Sequence, residues 1–217
     1  MTRIRAALFD MDGTIFDSKI DLGAVRHVLG LPRDGRSFLE QLTDLPAEMQ
    51  DKGMAMLVEA EARGAADGVL LPGAEEFVES LRTRGVRCAL VTNNSRASAE
   101  TVLRRHPLPF DLVLTRDDGA AKPDPGIFSV ALARLGATAR EALAIGDAHL
   151  DLLAAHRAGV AEIILVSPPP WVLAFIPEGI VHRRAADLRE AQAIVESLLG
   201  SRTERVDYGA RRDQRVP

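Results

Sequence analysis

Two carboxylates near the start of the chain, Asp10 and Asp12, come directly after an apolar stretch and before a glycine. This pattern is typical of a buried strand that ends by delivering acids to a site, and Gly13 permits the positive φ of a tight reversal. At roughly 4 Å and an effective dielectric of about 20, two like charges repel by about 4 kcal/mol, so a cation or a proton must compensate them. The pair therefore predicts a metal site, with a surface turn rich in Asp and Gly as the alternative.

Polar side chains also follow two later apolar stretches. Thr92 and Asn93 follow one of them, and Asp147 follows the other. In an open parallel sheet, ligands bind beyond the carboxyl ends of the strands, so these residues are expected at one rim together with Asp10. Thr92 is placed to contact a ligand, whereas Ser95 is interpreted as the N-cap of the next helix.

A second pair of acids, Asp147 and Asp151, is spaced four residues apart at the start of a predicted helix. This spacing places both on one helix face, where they favour a hard cation such as Mg²⁺, which prefers oxygen ligands. One acid alone in the first turn of a helix would be explained by its favourable interaction with the helix dipole. His149 between them is expected to be a solvated neighbour, with a substrate contact as the alternative.

One lysine, Lys122, lies in a segment that prolines stiffen just before a predicted helix. As a compact positive charge it could neutralise both the carboxylates and a bound phosphate. The alternative interpretation is a solvated surface lysine.

Short β-rich runs alternate with helical patterns along the chain, which indicates a parallel sheet with crossover helices. The predicted strands are 4–9, 86–91, 112–114, 142–145 and 162–166. The predicted crossover helices are 74–84, 97–105, 126–135 and 150–158.

Residues 16–71 break this alternation, because they contain amphipathic stretches and no convincing strand. The helices predicted there are 21–29, 37–42 and 46–63. Because this insert begins directly after the two acids, it can act as a lid over them. The predicted domains are a core of residues 1–15 and 72–200, a helical cap of residues 16–71 and a flexible, Arg-rich tail of residues 201–217.

Composition narrows the class of protein. Hydrophobic residues make up 47% of the 217 residues and aromatic residues only 4%, which favours an aliphatic α/β core. The net charge is −4 and the Lys and Arg residues are scattered, which argues against a nucleic-acid partner. The most hydrophobic late stretch, 163–176, is interrupted by prolines, so no membrane span is expected and the predicted location is cytoplasmic. The lone cysteine, Cys88, is interpreted as a buried structural thiol.

Taken together, the motifs resemble, in their order, those of the haloacid dehalogenase superfamily on its phosphatase side. They are Asp10-Met11-Asp12-Gly13-Thr14, Thr92-Asn93, Lys122-Pro123, and Gly146-Asp147 through Asp151. The resemblance covers about residues 4–167, and the insert resembles the helical cap of phosphoglycolate phosphatases and β-phosphoglucomutases. The implied fold is α/β: a three-layer Rossmann-like core with a mostly parallel sheet and a small all-helical cap inserted after the first strand.

The resemblance also implies a Mg²⁺-dependent phosphatase that acts on a small phosphorylated metabolite through an aspartyl-phosphate. Asp10 is the implied nucleophile, and Asp12 is the implied acid that protonates the leaving alkoxide and then activates water. The implied phosphate-binding residues are Thr92, Asn93 through its backbone amide, and Lys122. The implied metal site comprises Asp10, Asp12 through its backbone carbonyl, Asp147 and, in a supporting role, Asp151.

Several alternatives stay open at this stage. A phosphosugar mutase of the β-phosphoglucomutase type shares every core residue, and a catalytically silent binding protein would keep the same fold. Dehalogenase chemistry is disfavoured because it has no leaving alkoxide for Asp12 to protonate. The ligand spacing of a helix-loop-helix calcium site is not present after Asp10. The sequence also has no Gly-rich phosphate-binding loop that ends in Gly-Lys-Ser/Thr, which argues against a nucleotide-dependent kinase. The chain could be a monomer or a homodimer.

Overall fold

The computed structural model describes residues 3–200 of the 217-residue chain. In these residues the strands are β1 Ala6–Phe9, β2 Phe16–Asp17, β3 Val69–Leu70, β4 Arg87–Val91, β5 Leu112–Leu114, β6 Ala142–Gly146, β7 Glu162–Val166 and β8 Arg183–Ala185. Six of them form one parallel sheet in the order β5-β4-β1-β6-β7-β8. The predicted parallel sheet is confirmed, with β1 at its centre.

Helices cover both faces of this sheet. They are α1 Leu22–Val28, α2 Phe38–Leu42, α3 Ala47–Asp67, α4 Ala74–Thr83, α5 Arg96–Arg105, α6 Gly126–Leu135, α7 His149–Arg157, α8 Pro170–Leu173 and α9 Leu188–Gly200. Side chains alternate along β1, so Phe9 packs with α4, α5 and α9 in one apolar cluster and Leu8 packs with α6 and α7 in the other. The three-layer α/β fold expected from the sequence is therefore confirmed.

The insert folds around an apolar cluster of its own. Helices α1, α2 and α3 bury the five side chains Val25, Leu29, Phe38, Leu42 and Leu57 against one another. The expectation of no strand in this segment was wrong, because β2 pairs antiparallel with β3 at its base. Strands of two residues are too short to show a period in the sequence. The division into core and cap domains stays a prediction.

Two parts of the C-terminal region were not anticipated. Strand β8 is mostly exposed and begins with Arg183-Arg184, so it lacks the apolar run of a central strand. Helix α9 follows it and buries Leu188, Ala191 and Val195 against the sheet. The predicted flexible tail of residues 201–217 lies outside the described residues.

In residues 3–200 no helix is both long enough and apolar enough to cross a membrane. The cytoplasmic location stays a prediction. Cys88 is buried in β4, and burial raises the pKa of its thiol to about 12, as expected for a structural cysteine.

Candidate active site

A cavity of about 470 Å³ opens at the carboxyl ends of β1, β4 and β6, beneath the insert. This volume lies within the range of ordinary small-molecule sites. The structure brings all the predicted site residues to its wall: Asp10, Asp12, Thr92, Asn93, Lys122, Asp147 and Asp151.

Lys122 is buried between two of the acids. Its ammonium donates to Asp10 Oδ1 at 2.5 Å, to Asp151 Oδ1 at 2.6 Å and to the carbonyl oxygen of Val91 at 2.9 Å. Burial alone would lower the pKa of this ammonium, but the charges of Asp10 and Asp151 outweigh it and the net shift is upward. The alternative of a solvated lysine is excluded.

Three carboxylates meet beside this lysine. One oxygen each of Asp10, Asp147 and Asp151 lies within 4.8 Å of the other two. Burial raises the pKa of Asp10 to about 7, although the positive charge of Lys122 acts to lower it. The pKa of Asp147 is also raised, mainly by burial and secondly by the negative charge of Asp10. Such an all-oxygen cluster with uncompensated negative charge fits a hard divalent cation.

The carboxylate of Asp12 is not part of this cluster of three carboxylates. The metal site predicted for Asp10 and the backbone carbonyl of Asp12 stays a prediction. Strand β1 ends at Phe9, so the two side chains do not continue its alternation. Two further acids crowd Asp10: Asp147 comes from the loop after β6 and Asp151 from α7. The negative charges of Asp151 and Asp12 both raise the pKa of Asp10.

A second correction concerns the spacing of Asp147 and Asp151. Helix α7 begins at His149, and Asp147 lies in the loop before it, so the two acids do not share a helix face. Asp151 Oδ2 accepts the amide hydrogen of Ala148 at 3.1 Å, so Asp151 also serves the helix terminus. The sharp loop after β6, rather than helical periodicity, brings the two carboxylates together.

Two glycines allow this close packing. Gly13 has a φ of 77°, and a Cβ atom there would lie 2.3 Å from Asp147 Oδ2. A Cβ atom on Gly146 would lie 2.5 Å from Cβ of Asp151. The turn after β1 and the end of β6 can therefore approach the acids only without side chains.

Asp12 is held by Asn94, a residue with no predicted role in the site. Asn94 Nδ2 donates to Asp12 Oδ2 at 2.5 Å, and the backbone N–H of Asn94 donates to Thr92 Oγ1 at 3.1 Å. Asp12 Oδ1 is buried without a hydrogen-bond partner in the described residues. Burial raises the pKa of Asp12 to about 6, while the neighbouring side chains of Ser18 and Asn94 act to lower it.

The loop after β4 is tied to the lysine segment. Asn93 Oδ1 accepts the backbone N–H of Lys122 at 2.8 Å, and Asn93 Nδ2 donates to the carbonyl oxygen of Lys122 at 2.9 Å. The side chain of Asn93 is thus engaged, which leaves its backbone amide for a ligand. Ser95 accepts the backbone N–H of Ser98 at 3.3 Å, so its predicted role as the N-cap of α5 is confirmed.

Three arginines of the insert line the cavity: Arg26, Arg33 and Arg36. Arg36 is ion-paired with two insert residues, Asp34 and Asp44. Arg26 lies 5.6 Å from the Phe38 ring centroid and donates to Gln41 at 2.9 Å, while Arg33 lies 5.4 Å from the Trp171 ring centroid. Within residues 3–200, neither Arg26 nor Arg33 forms an ion pair, so two positive charges face the cavity.

His149 is not the solvated neighbour that the sequence predicted. Its ring is buried, with Nε2 2.7 Å from the carbonyl oxygen of Gly35 in the insert. It packs against Trp171 and Phe175 from the segment after β7, at ring-centroid distances of 5.9 and 5.3 Å. His149 therefore joins the core to the insert at the edge of the cavity.

Comparison with known proteins identifies the family of this chain. The profile of the haloacid dehalogenase-like hydrolases matches residues 4–159. A protein named probable phosphatase IndB from Dickeya dadantii is 32% identical over 182 residues, covering 72% of this chain and 78% of that protein. A phosphoglycolate phosphatase from Pseudomonas putida is 28% identical, and the match covers 89% of this chain and 77% of that protein. The solved structure of a hydrolase from Pseudomonas syringae superposes with a TM-score of 0.76 at 24% identity, covering 89% of this chain and 99% of that one. This similarity supports the fold.

Because the family profile covers well over half of the chain, the protein belongs to the haloacid dehalogenase-like hydrolases. The enzyme class expected from the sequence, a phosphoric monoester hydrolase, is confirmed by the relatives named phosphatases.

Proposed function

We propose that this enzyme is a Mg²⁺-dependent phosphatase that hydrolyses a small phosphate monoester through an aspartyl-phosphate on Asp10. The observation that carries the proposal is the meeting of Asp10, Asp147 and Asp151 beside a buried lysine on the wall of the cavity beneath the insert. The relatives named phosphatases support the same reaction.

In the first step, a carboxylate oxygen of Asp10 attacks phosphorus as the bond from phosphorus to the leaving oxygen breaks. The carboxyl proton of Asp12 moves to that oxygen. Because Asn94 donates to Oδ2, the proton of Asp12 resides on Oδ1, the oxygen without a partner. A pKa of about 6 keeps part of the Asp12 population protonated near neutral pH.

In the second step, Asp12 accepts a proton from water, the water oxygen attacks phosphorus, and the bond to Asp10 breaks. Lys122 holds Asp10 in place and offsets negative charge throughout. Asp10, the backbone carbonyl of Asp12 and Asp147 would hold Mg²⁺, with Asp151 in support, and the ion would supply positive charge against the phosphoryl oxygens. The backbone amide of Asn93 and the hydroxyl of Thr92 would bind those oxygens.

The insert favours substrates that carry a second negative charge. Arg26 and Arg33 face the same cavity as Asp10 and lack carboxylate partners within the described residues. Burial, followed by the charge of Arg33, lowers the pKa of Arg26, as expected where two cations share a site. A carboxylate or a second phosphate on the substrate would relieve this repulsion.

The test is the release of inorganic phosphate from a panel of small monoesters with Mg²⁺ or EDTA, comparing the native chain with Asp10→Asn. Release that needs Mg²⁺ and disappears in Asp10→Asn is the expected result. Conversion of β-glucose 1-phosphate to glucose 6-phosphate without free phosphate would instead establish a mutase, in which Arg26 and Arg33 would hold the second phosphate. Metal binding without turnover on any ester would refute catalysis.

A further inference from the structure

A buried ion pair connects the insert to the turn that follows β5. Glu61 belongs to α3, and Arg116 begins a short 3₁₀ turn after β5. Arg116 binds both carboxylate oxygens of Glu61, Nη1 to Oε1 and Nη2 to Oε2, the latter at 3.0 Å. The side chains are only 10% and 2% exposed for Arg116 and Glu61.

The same pair also holds the backbone on both sides of Asn94. Arg116 Nη1 donates to the carbonyl oxygen of Asn93 at 3.0 Å, and the backbone N–H of Ser95 donates to Glu61 Oε2 at 3.3 Å. The backbone N–H of Arg116 donates to the carbonyl oxygen of Asn94 at 3.2 Å. Asn94, the residue between these fixed points, donates its side-chain amide to Asp12 Oδ2.

Stability alone does not account for this arrangement. Replacing a buried ion pair by apolar side chains of similar volume is often neutral or stabilising, so such a pair is weak evidence for a stabilising role. What apolar side chains cannot reproduce is the pair of hydrogen bonds to Asn93 and Ser95. Residues that support a reactive group must be held to within about 0.5 Å of their working position. The hydrogen bonds to Asn93 and Ser95 restrain Asn94 in this way.

We propose that Glu61 and Arg116 are positioning residues for the acid–base group: they fix residues 93–95 so that Asn94 keeps the Asp12 carboxyl turned toward the leaving oxygen. This inference rests on the proposed phosphatase reaction. Because Glu61 comes from the insert, Asp12 is held in this way only while α3 is packed on the start of α5, which links proton donation to coverage of the site.

The test uses the double variant Glu61→Met with Arg116→Met and two esters in the presence of Mg²⁺. One is an alkyl phosphate, whose leaving group must be protonated, and the other is p-nitrophenyl phosphate, whose leaving group needs no proton. We expect kcat/KM to fall about 100-fold on the alkyl ester and to stay within about threefold on the aryl ester. Merely loosened packing would lower both alike.

The matched control is Glu59→Met with Arg63→Met, an ion pair on the same helix whose side chains are 68% and 69% exposed. It should leave both kcat/KM values and the free energy of unfolding near those of the native chain. Circular dichroism and urea unfolding establish that each variant is folded.

Equal losses on the two esters, or no loss on either, would overturn the proposal while leaving the phosphatase function intact. A native chain inactive on both esters would overturn the function and this inference with it. If the double variant does not fold, Arg116→Lys keeps the charge and loses the two-point contact, and the same difference between esters is expected. Failure of both variants to fold would assign the pair a structural role and refute the proposal.

Discussion

At the scale of single residues, the centre is organised by its charge balance. Four acids line one wall of the cavity, and Lys122 is the ammonium that contacts two of them. When Asp12 is protonated, three negative carboxylates face one ammonium. The negative charge that remains would be neutralised by one divalent cation. This balance gives a physical reason to expect a metal at Asp10, Asp147 and Asp151 that does not depend on resemblance.

Arg26 and Arg33 are expected to select substrates by charge. The variants Arg26→Met and Arg33→Met should each raise KM about tenfold for a phosphate ester that bears a carboxylate, because a hydrogen bond to a charged group contributes about 1.5–3 kcal/mol. KM for a phosphate ester with an uncharged leaving group should barely change. Steady-state kinetics on the two esters measures the difference.

The control for these variants is Lys52→Met, an exposed residue on α3 outside the cavity lining. Equal effects of Arg26→Met and Arg33→Met on charged and uncharged esters would show that the two arginines do not recognise a second anion.

At the scale of elements, the site depends on short turns rather than on helix faces. Strands β1 and β6 are neighbours in register, with Phe9 opposite Ile145, so the residues that follow them emerge side by side. Gly13 and Gly146 then bring backbone to within contact of Asp147 and Asp151. The fold thus crowds three carboxylates by close approach of two loops.

Gly13→Ala tests this close approach. Positive φ costs a residue with a Cβ atom about 1–2 kcal/mol, and here the added Cβ would also collide with Asp147. Gly85→Ala is the control for the backbone strain alone, because Gly85 has a φ of 75° but no atom within 4 Å of its Cβ position. We expect Gly13→Ala to lose at least as much stability as Gly85→Ala. Only Gly13→Ala should also lose most phosphatase activity.

Urea unfolding in EDTA and phosphate release with Mg²⁺ measure the two effects separately. If Gly85→Ala lost activity to the same extent, general destabilisation rather than displacement of Asp147 would explain the result.

At the scale of the whole molecule, the acidic centre lowers the stability of the metal-free protein as pH rises. The folded-state pKa values of Asp10 and Asp12, about 7 and about 6, lie above the ordinary aspartate value of 3.8 because both carboxyls are buried. Between pH 4 and pH 7 the folded protein therefore binds more protons than the unfolded protein. The stability that these carboxyls contribute below pH 4 is lost as the pH rises and they ionise. Surface acids whose pKa is lowered, such as Glu141, act in the opposite sense.

Comparison with Asp12→Asn isolates one of these contributions. In EDTA, the free energy of unfolding of the native chain should fall relative to that of Asp12→Asn by about 3 kcal/mol between pH 4 and pH 7, since a shift of about two pKa units corresponds to that amount. Urea denaturation across this pH range measures it. A difference that is constant with pH would show that Asp12 titrates normally.

Mg²⁺ should restore stability most strongly at the upper end of the range, because it binds the ionised acids of the folded state. An ion present at 100 times its dissociation constant contributes about 2.7 kcal/mol. Stabilisation by Mg²⁺ that is equal at pH 4 and pH 7 would contradict binding at the Asp10, Asp147 and Asp151 cluster.

Much of the fold was predictable from local sequence. Strands β5 and β7 have the predicted ends, and all four predicted crossover helices form. Elements without a local signal were missed: β2 and β3 have two residues each, and β8 carries arginines at a sheet edge. Such strands exist because a partner strand pairs with them, which is a property of the folded chain.

The chemical groups of the site and the rim at which they meet were predictable from the sequence, because apolar runs define the strands and parallel strands end at one edge of the sheet. Folding of distant parts of the chain places Asp147 and Asp151 against Asp10 and buries His149. It also sets Glu61 and Arg116 on the loop beside Asn94. These outcomes depend on distances between residues far apart in the chain, which neither periodicity nor residue type encodes.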